Sequence, residues 1–95
     1  MMLMNEEIKK LRREIDSIDE KIISCLGQRK KIIKKIGQLK HTGNIKIYNA
    51  GREKEIKSRI KKIAKKEGID ELVALKLYSI ILINSREEQE NANIR

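Results

Sequence analysis

The sequence predicts an all-α fold of three helices per chain, with one very long first helix. Proline is absent, only 2% of the 95 residues are aromatic, and Ile, Lys and Glu are abundant, which is typical of helical proteins. Apolar residues recur every three or four positions from Ile8 to Leu39, the period of one helix face. Thr42 to Asn44 and Gly68 then supply the turn signals that separate three helical stretches.

The length of the first helix predicts a dimer. This helix is expected from about residue 5 to 41, with Asn5 as its cap. It would be about 54 Å long, whereas a compact chain of this size has a radius of gyration of about 12 Å. Because such a helix cannot be covered by its own chain, we expect an intertwined or side-by-side homodimer. The other helices are predicted at about 50–67 and 71–92, and residues 1–95 as a single domain.

One face of the first helix forms a nearly unbroken apolar seam. The seam consists of Ile8, Leu11, Ile15, Ile18, Ile22, Cys25, Ile32, Ile36 and Leu39. Arg29 occupies a position within it where an apolar side chain is due, and Lys40 stands almost directly above Arg29, about 16 Å along the helix. Burying an unpaired guanidinium costs roughly several kcal/mol. Two interpretations stay open: each side chain extends its charge into water, or the pair holds a small anion.

Composition excludes several classes of protein. No apolar run reaches the length of a membrane span, and the charged N-terminus does not resemble a signal peptide, so we expect a cytoplasmic chain without a membrane partner. Cys25, the only cysteine, excludes an internal disulfide and is expected to be an inert core thiol. His41 has no second ligand beside it, so we expect no metal there, only a cation near a helix C-terminus.

Further polar groups fall on the inner faces of the second and third helices. The second helix is predicted to turn Ile56, Ile60 and Ile63 inward, and Arg52 and Glu53 precede this apolar stripe. A local ion pair of Glu53 with a neighbouring lysine is the simple alternative. Ser85 and Gln89 continue the apolar stripe of the third helix, unless that helix end frays into water. With Arg12, Arg29 and Lys40, these groups include no nucleophile beside a base and no glycine-rich phosphate loop. They can instead bind carboxylates and support electrostatic catalysis.

Three stretches, LRREIDSIDEKIISCLGQRKKIIKKIGQLK, NAGREKEI and IILINSREEQ, together resemble the all-helical chorismate mutases of the AroQ class, in their monofunctional form. The spacing fits from near Ile8 to Gln89 without a gap. The resemblance implies an intertwined homodimer of three-helix subunits with two equivalent active sites. It also implies an isomerase without cofactor that rearranges chorismate to prephenate, the step of the shikimate pathway committed to phenylalanine and tyrosine.

The resemblance implies that four side chains hold the two carboxylates of chorismate, while Arg52 helps to orient them. Arg29, with Ser85 nearby, would hold the ring carboxylate. Lys40 and Arg12 of the partner subunit would hold the enolpyruvyl carboxylate. The sequence supports the placement of Arg12, which precedes Arg29 by about 25 Å along one helix and is too far away to share a small ligand within one chain. An antiparallel partner can bring it back.

The resemblance also assigns the remaining polar contacts of the substrate. Lys40 and Gln89 would donate hydrogen bonds to the ether oxygen, where negative charge grows as the bond breaks. Glu53, with the backbone near Asn49, would receive the ring hydroxyl. Asn49 stands where many relatives have Asp, and Gly51 where an acid is frequent. A backbone contact at Asn49 survives the first change, while Gly51 is expected to loosen the start of the second helix.

Three other functions remain open at this point. An isochorismate pyruvate lyase would use a similar fold and anion clamp, and release of pyruvate would identify it. The net charge of +9 also allows a basic helical nucleic-acid-binding protein, although no helix-turn-helix, zinc or aromatic signature appears and we expect no nucleic-acid partner. A structural helical hairpin without a ligand would leave every inward polar group unexplained.

Overall fold

A computed structural model of the chain describes residues 2–92. Within these residues there are three α-helices and no strand: α1 (Met2–Thr42), α2 (Ala50–Glu67) and α3 (Glu71–Asn91). The predicted all-α class and the very long first helix are confirmed. The structure places α2 and α3 within a residue of the predicted ranges. The chain divides into two compact units, one through Lys31 and one from Ile32, and the prediction of a single domain stays a prediction.

The first helix begins earlier than the sequence predicts. The expected start with Asn5 as the cap is wrong, because α1 already includes Met2 and has no acidic residue in its first turn. Met and Leu are good helix formers, so the residues before Asn5 continue the helix instead of ending it. With 41 residues, α1 is about 62 Å long.

Local side-chain and backbone chemistry ends α1 and begins α2. After α1, the Ile45 N–H donates to the Lys40 carbonyl at 2.7 Å, and Asn44 adopts a positive φ of 53°, a conformation that asparagine tolerates better than most residues. Asn49 is the N-cap of α2, since its Oδ1 accepts from the Arg52 N–H at 3.0 Å. The connection between α1 and α2 carries several groups of the candidate site.

The turn between α2 and α3 forms as the sequence predicts. Gly68 adopts the left-handed conformation, with φ of 71°, and the Ile69 N–H donates to the Ala64 carbonyl at 2.8 Å, which is the hydrogen bond of a Schellman motif. Asp70 Oδ1 accepts from the Leu72 N–H at 2.8 Å and caps α3. Two caps so close in sequence turn the chain back, and α3 packs against α2.

The core of the C-terminal unit lies between α2 and α3. Its buried apolar side chains are Ile56, Ile60, Ala64, Ala74 and Leu82, with Tyr78 packed against them. The prediction that Ile63 belongs to the inner face of α2 is wrong, since Ile63 is 47% exposed and Ala64 is buried in its place. The buried residues of α2 follow one another at steps of four, which carries the stripe to Ala64. Leu77 and Ile80, on the other side of α3, are exposed within one chain.

The apolar seam of α1 is largely uncovered within one chain. In the N-terminal unit, Leu11, Ile15, Ile18 and Ile22 are each exposed over about half of their surface, and Cys25 is exposed as well. The prediction of a core thiol at Cys25 is therefore wrong for the single chain. The physical reason is that this unit contains one helical segment, and a lone helix has no second element against which to bury its apolar face.

Candidate functional site

The candidate site lies in the C-terminal unit, where the end of α1, the connection to α2, the start of α2 and the last turns of α3 are joined by polar contacts. His41 Nε2, near the end of α1, lies 3.0 Å from the backbone oxygen of Gln89 in α3. Because a carbonyl oxygen only accepts hydrogen bonds, Nε2 must carry the proton and donate it. This hydrogen bond fixes the height of α3 against the end of α1.

A glycine permits the close approach of α1 and α3 beside this hydrogen bond. A Cβ placed on Gly37 would stand 2.7 Å from the Gln89 Cα, 2.8 Å from its carbonyl oxygen and 2.9 Å from the Ala92 Cβ. These distances are far shorter than a carbon–carbon contact of about 3.5–4.0 Å, so any side chain at Gly37 would separate the two helices. Close backbone approach therefore explains Gly37, which helps to set the position of Gln89.

The ammonium group of Lys40 lies at the connection between α1 and α2. Lys40 Nζ donates to the Ile47 carbonyl oxygen at 2.8 Å, and the side chain is half-buried. Lys40 and His41 border a cavity of about 370 Å³ that is otherwise lined by residues 44–48 and Glu90. Since an ammonium has three N–H donors, the contact with Ile47 leaves Lys40 able to bind an anion as well.

Glu53 is held by an arginine that is not among the predicted site residues. Arg86 Nε of α3 lies 3.0 Å from Glu53 Oε2 of α2, and the two side chains are 39% and 14% exposed. The N–H direction does not satisfy hydrogen-bond geometry, so the contact is an ion pair. The guanidinium carbon of Arg86 also lies 5.2 Å from the centre of the Tyr48 ring, within cation–π range. Glu53 thus pairs across two helices and not with a neighbouring lysine.

Ser85 and Gln89 are buried, which contradicts the alternative that this end of α3 frays into water. Their exposed fractions are 5% and 7%. Ser85 Oγ donates to the Ile81 carbonyl oxygen at 2.8 Å, and Gln89 Nε2 donates to the Ser85 carbonyl oxygen at 3.3 Å. Among the residues that the structure describes, no donor reaches the buried Oε1 of Gln89. An unsatisfied buried polar atom costs about 1–3 kcal/mol, so a donor supplied by a bound molecule would be favourable here.

Asn49 and Arg52 lie at the edge of the site. Asn49 caps α2 with its side chain, and its carbonyl oxygen accepts from the Glu53 N–H at 3.0 Å. Arg52 Nη1 lies 3.5 Å from Glu55 Oε1, and both side chains are more than half exposed. An ion pair this exposed contributes little to stability, about 0–1 kcal/mol, so Arg52 can leave Glu55 at little cost. Its role toward the substrate stays a prediction.

Arg12 and Arg29 belong to the N-terminal unit. Both lie on α1, where Arg12 is exposed and Arg29 is partly buried. Their predicted roles in binding carboxylates stay predictions. Within one unit the structure therefore collects six of the eight predicted site residues, namely Lys40, Asn49, Arg52, Glu53, Ser85 and Gln89.

The site offers hydrogen-bond donors, one carboxylate and a buried amide. Within residues 2–92 there is no group of three His, Cys, Asp or Glu side chains that could hold a metal ion. In the same range, no helix has the length and apolar character needed to cross a membrane. The chemistry that these groups support is the binding and polarisation of a small anionic substrate.

Comparison with known proteins gives consistent matches. The family model for chorismate mutase type II matches residues 11–90. The chain is 31% identical over 97 residues to a chorismate mutase of Methanocaldococcus jannaschii, covering 95% of this chain and 98% of that protein. It is 45% identical over 60 residues to a bifunctional chorismate mutase/prephenate dehydratase of Aquifex aeolicus, covering 63% of this chain and 17% of that protein. A 4-amino-4-deoxychorismate mutase of Streptomyces venezuelae is 26% identical over 81 residues, 85% of this chain and 79% of that protein.

Proposed function

The chain belongs to the chorismate mutase type II family, and we propose that the site described above rearranges chorismate to prephenate in phenylalanine and tyrosine biosynthesis. The chain is accordingly an isomerase, a chorismate mutase. The family match and the names of the relatives do not favour a pyruvate lyase or a nucleic-acid-binding protein. A cytoplasmic location stays a prediction from the sequence.

The observation that carries the proposed mechanism is the buried amide of Gln89. Gln89 is 7% exposed. Its backbone carbonyl oxygen accepts a hydrogen bond from His41, which is adjacent to Lys40 in the sequence. This hydrogen bond holds the segments of α1 and α3 that carry Lys40 and Gln89 close together, which supports the proposal that the amide and the ammonium converge on the substrate. In the proposed complex both donate to the ether oxygen of chorismate. Negative charge grows on this oxygen as the carbon–oxygen bond breaks, so the two donors stabilise the transition state more than the ground state.

The proposed site also selects the reactive shape of the substrate. Chorismate prefers an extended form in water, and holding both carboxylates selects the compact form in which the reacting carbons meet. This raises the effective concentration of the reactive geometry. Lys40 has free donor capacity for the enolpyruvyl carboxylate, while Arg29, with Ser85 nearby, is proposed to bind the ring carboxylate. Arg52 is proposed to help orient the carboxylates.

Glu53 is the proposed acceptor for the ring hydroxyl. Its side chain is only 14% exposed and is held by Arg86, so the carboxylate is oriented before the substrate binds. The Asn49 carbonyl, one turn earlier, positions the Glu53 backbone. A fixed acceptor is more effective than a mobile one because no side-chain entropy is lost on binding.

The proposed active form is a homodimer in which Arg12 of the partner subunit completes each site. The exposed seam of α1 supports this proposal, because Leu11, Ile15, Ile18 and Ile22 present a continuous apolar face within one chain. Soluble monomers rarely expose so long an apolar surface. Packing two such helices side by side would bury the seam and carry Arg12 of one chain toward the site of the other.

The test is an activity assay with a matched pair of variants. Chorismate is followed by its ultraviolet absorbance, and prephenate and pyruvate are identified among the products. We expect prephenate from the wild type and a loss of kcat/KM of at least about a hundredfold in Lys40→Ala, the usual scale for removing a donor to a developing oxyanion. Lys61→Ala, which removes an exposed lysine of α2, is the control and should retain full activity.

Two outcomes would overturn the proposal. A folded protein that leaves chorismate unchanged, or one that releases pyruvate from isochorismate without forming prephenate, has another function. Equal activity of Lys40→Ala and Lys61→Ala would remove Lys40 from the mechanism.

A further inference from the structure

Arg86 does not contact the substrate in the proposed function, yet it makes two contacts at the end of the site that would receive the ring hydroxyl. Its Nε lies 3.0 Å from Glu53 Oε2, and its guanidinium carbon lies 5.2 Å from the centre of the Tyr48 ring. These contacts join α3 to α2 and to the connection that precedes α2. Arg86 is therefore fixed at a defined place beside the carboxylate.

The charge of Arg86 determines what kind of group Glu53 can receive. A carboxylate alone attracts a cation, and burial strengthens that attraction because the local dielectric is lower than that of water. With a guanidinium at 3.0 Å, the pair carries no net charge, and a second cation would lie close to the first. A neutral hydroxyl requires only an acceptor and meets no such repulsion. A carboxylate has two oxygens, so contact of Arg86 with Oε2 leaves Oε1 to accept from the substrate.

The substrates for which related proteins are named differ in the ring group that Glu53 is proposed to accept. The Streptomyces venezuelae relative is named for a chorismate in which an amino group replaces the hydroxyl at ring position 4. An aliphatic amine of this kind is a cation when protonated, whereas the hydroxyl is neutral. Selection between the two substrates therefore depends on the electrostatic balance around the acceptor of that group.

We propose that Arg86 is a positioning residue that sets substrate specificity: it orients the Glu53 carboxylate and neutralises it, so that the site prefers a ring hydroxyl to an ammonium group. This inference rests on the proposed function and deepens it, since it concerns the same site. The inference rests on the Glu53–Arg86–Tyr48 cluster, in which Arg86 contacts Glu53, the acceptor, and does not contact the substrate.

The experiment compares kcat/KM for chorismate and for 4-amino-4-deoxychorismate in four proteins. In Arg86→Leu, we expect kcat/KM for chorismate to fall by about tenfold, because Glu53 loses its orienting contact. We expect the preference for chorismate over the amino substrate to fall further, by about tenfold or more, because Glu53 then attracts the ammonium. Arg86→Lys keeps the charge but not the planar group and should restore most of the preference. Arg59→Leu, which removes an exposed arginine of α2, should leave both values unchanged.

A purely structural role of Arg86 would lower both kcat/KM values equally, so an unchanged ratio in Arg86→Leu overturns the proposal. Failure of Arg86→Lys to restore the ratio would overturn the assignment to charge. If Arg86→Leu does not fold, as judged by circular dichroism, Arg86→Gln gives the same comparison with a polar side chain. Absence of chorismate turnover by the wild type would overturn the proposed function and this inference together, whereas normal turnover with an unchanged ratio overturns only the inference.

Discussion

The contact at Gly37 predicts that a single methyl group there should damage the site more than the fold. In Gly37→Ala the new Cβ would stand 2.7 Å from the Gln89 Cα. Since an ordinary contact is about 3.5–4.0 Å, α1 and α3 must separate by roughly 1 Å at this point. The clash is with backbone and with a Cβ, so no flexible side chain can move aside to relieve it.

The energetic consequence combines two opposing terms. Replacing a glycine inside a helix by alanine stabilises it by about 1 kcal/mol, whereas overpacking costs about 1–3 kcal/mol. The free energy of unfolding should therefore change by between zero and a loss of about 2 kcal/mol. Gln89, however, is displaced by most of an ångström, and a misplacement of about 1 Å can cost a hundredfold in rate. We expect kcat to fall by about that factor while the protein remains folded.

The assay is prephenate formation at saturating chorismate, combined with thermal unfolding followed by circular dichroism. Gly51→Ala is the matched control, because its Cβ would lie at an ordinary 3.5 Å from Asn49 Oδ1. This control should keep its activity and gain up to about 1 kcal/mol. A Gly37→Ala protein with wild-type kcat and a raised unfolding temperature would refute the proposed coupling between helix approach and catalysis.

Two further predictions concern the proposed dimer and the neutral amide. Arg12→Ala and Arg29→Ala chains should each be nearly inactive. If equal amounts of the two chains exchange subunits at random, about half of the dimers are heterodimers with one intact site, and about a quarter of wild-type activity should return. No recovery after confirmed exchange would exclude the role of Arg12 in the partner's site. Gln89 is uncharged, so activity should vary little from mildly acidic to mildly basic pH. Gln89→Glu should instead lose activity as pH rises, because only the protonated carboxyl can donate to the ether oxygen, and a steep fall in the wild type would contradict this assignment.

Features that depend on neighbours in sequence were predictable. The turn at Gly68 and the cap at Asp70 follow from side chains that bond to nearby backbone, and the structure has both. The exact buried stripe of α2 was not predictable, since Ile63 and Ala64 are adjacent and tertiary packing decides which of them faces α3. The seam of α1 was predicted correctly as an apolar face, and within residues 2–92 of one chain it is largely uncovered.

The candidate site was predictable to the extent that its residues interrupt an apolar pattern. Ser85 and Gln89 stand where apolar residues should continue, and both are buried. Arg86 follows Ala74, Tyr78 and Leu82 at steps of four, so its position was a signal in the sequence. Its partner Glu53, however, is distant in sequence and lies on another helix. Such an ion pair can be identified only when the packing of α2 against α3 is known. For the same reason the sequence suggested a local partner for Glu53 where the structure shows a tertiary one.

The uncovered seam of α1 has a consequence for the order in which the proposed dimer folds. The turn at Gly68 and Asp70 brings α2 and α3 together through contacts that are close in sequence, so their pairing closes a short loop and should be fast. In the proposed dimer, the N-terminal part of α1 would gain its apolar contacts only when a second chain binds. Refolding should therefore show an early phase that is independent of protein concentration and a later bimolecular phase, which accelerates as the chains become more concentrated.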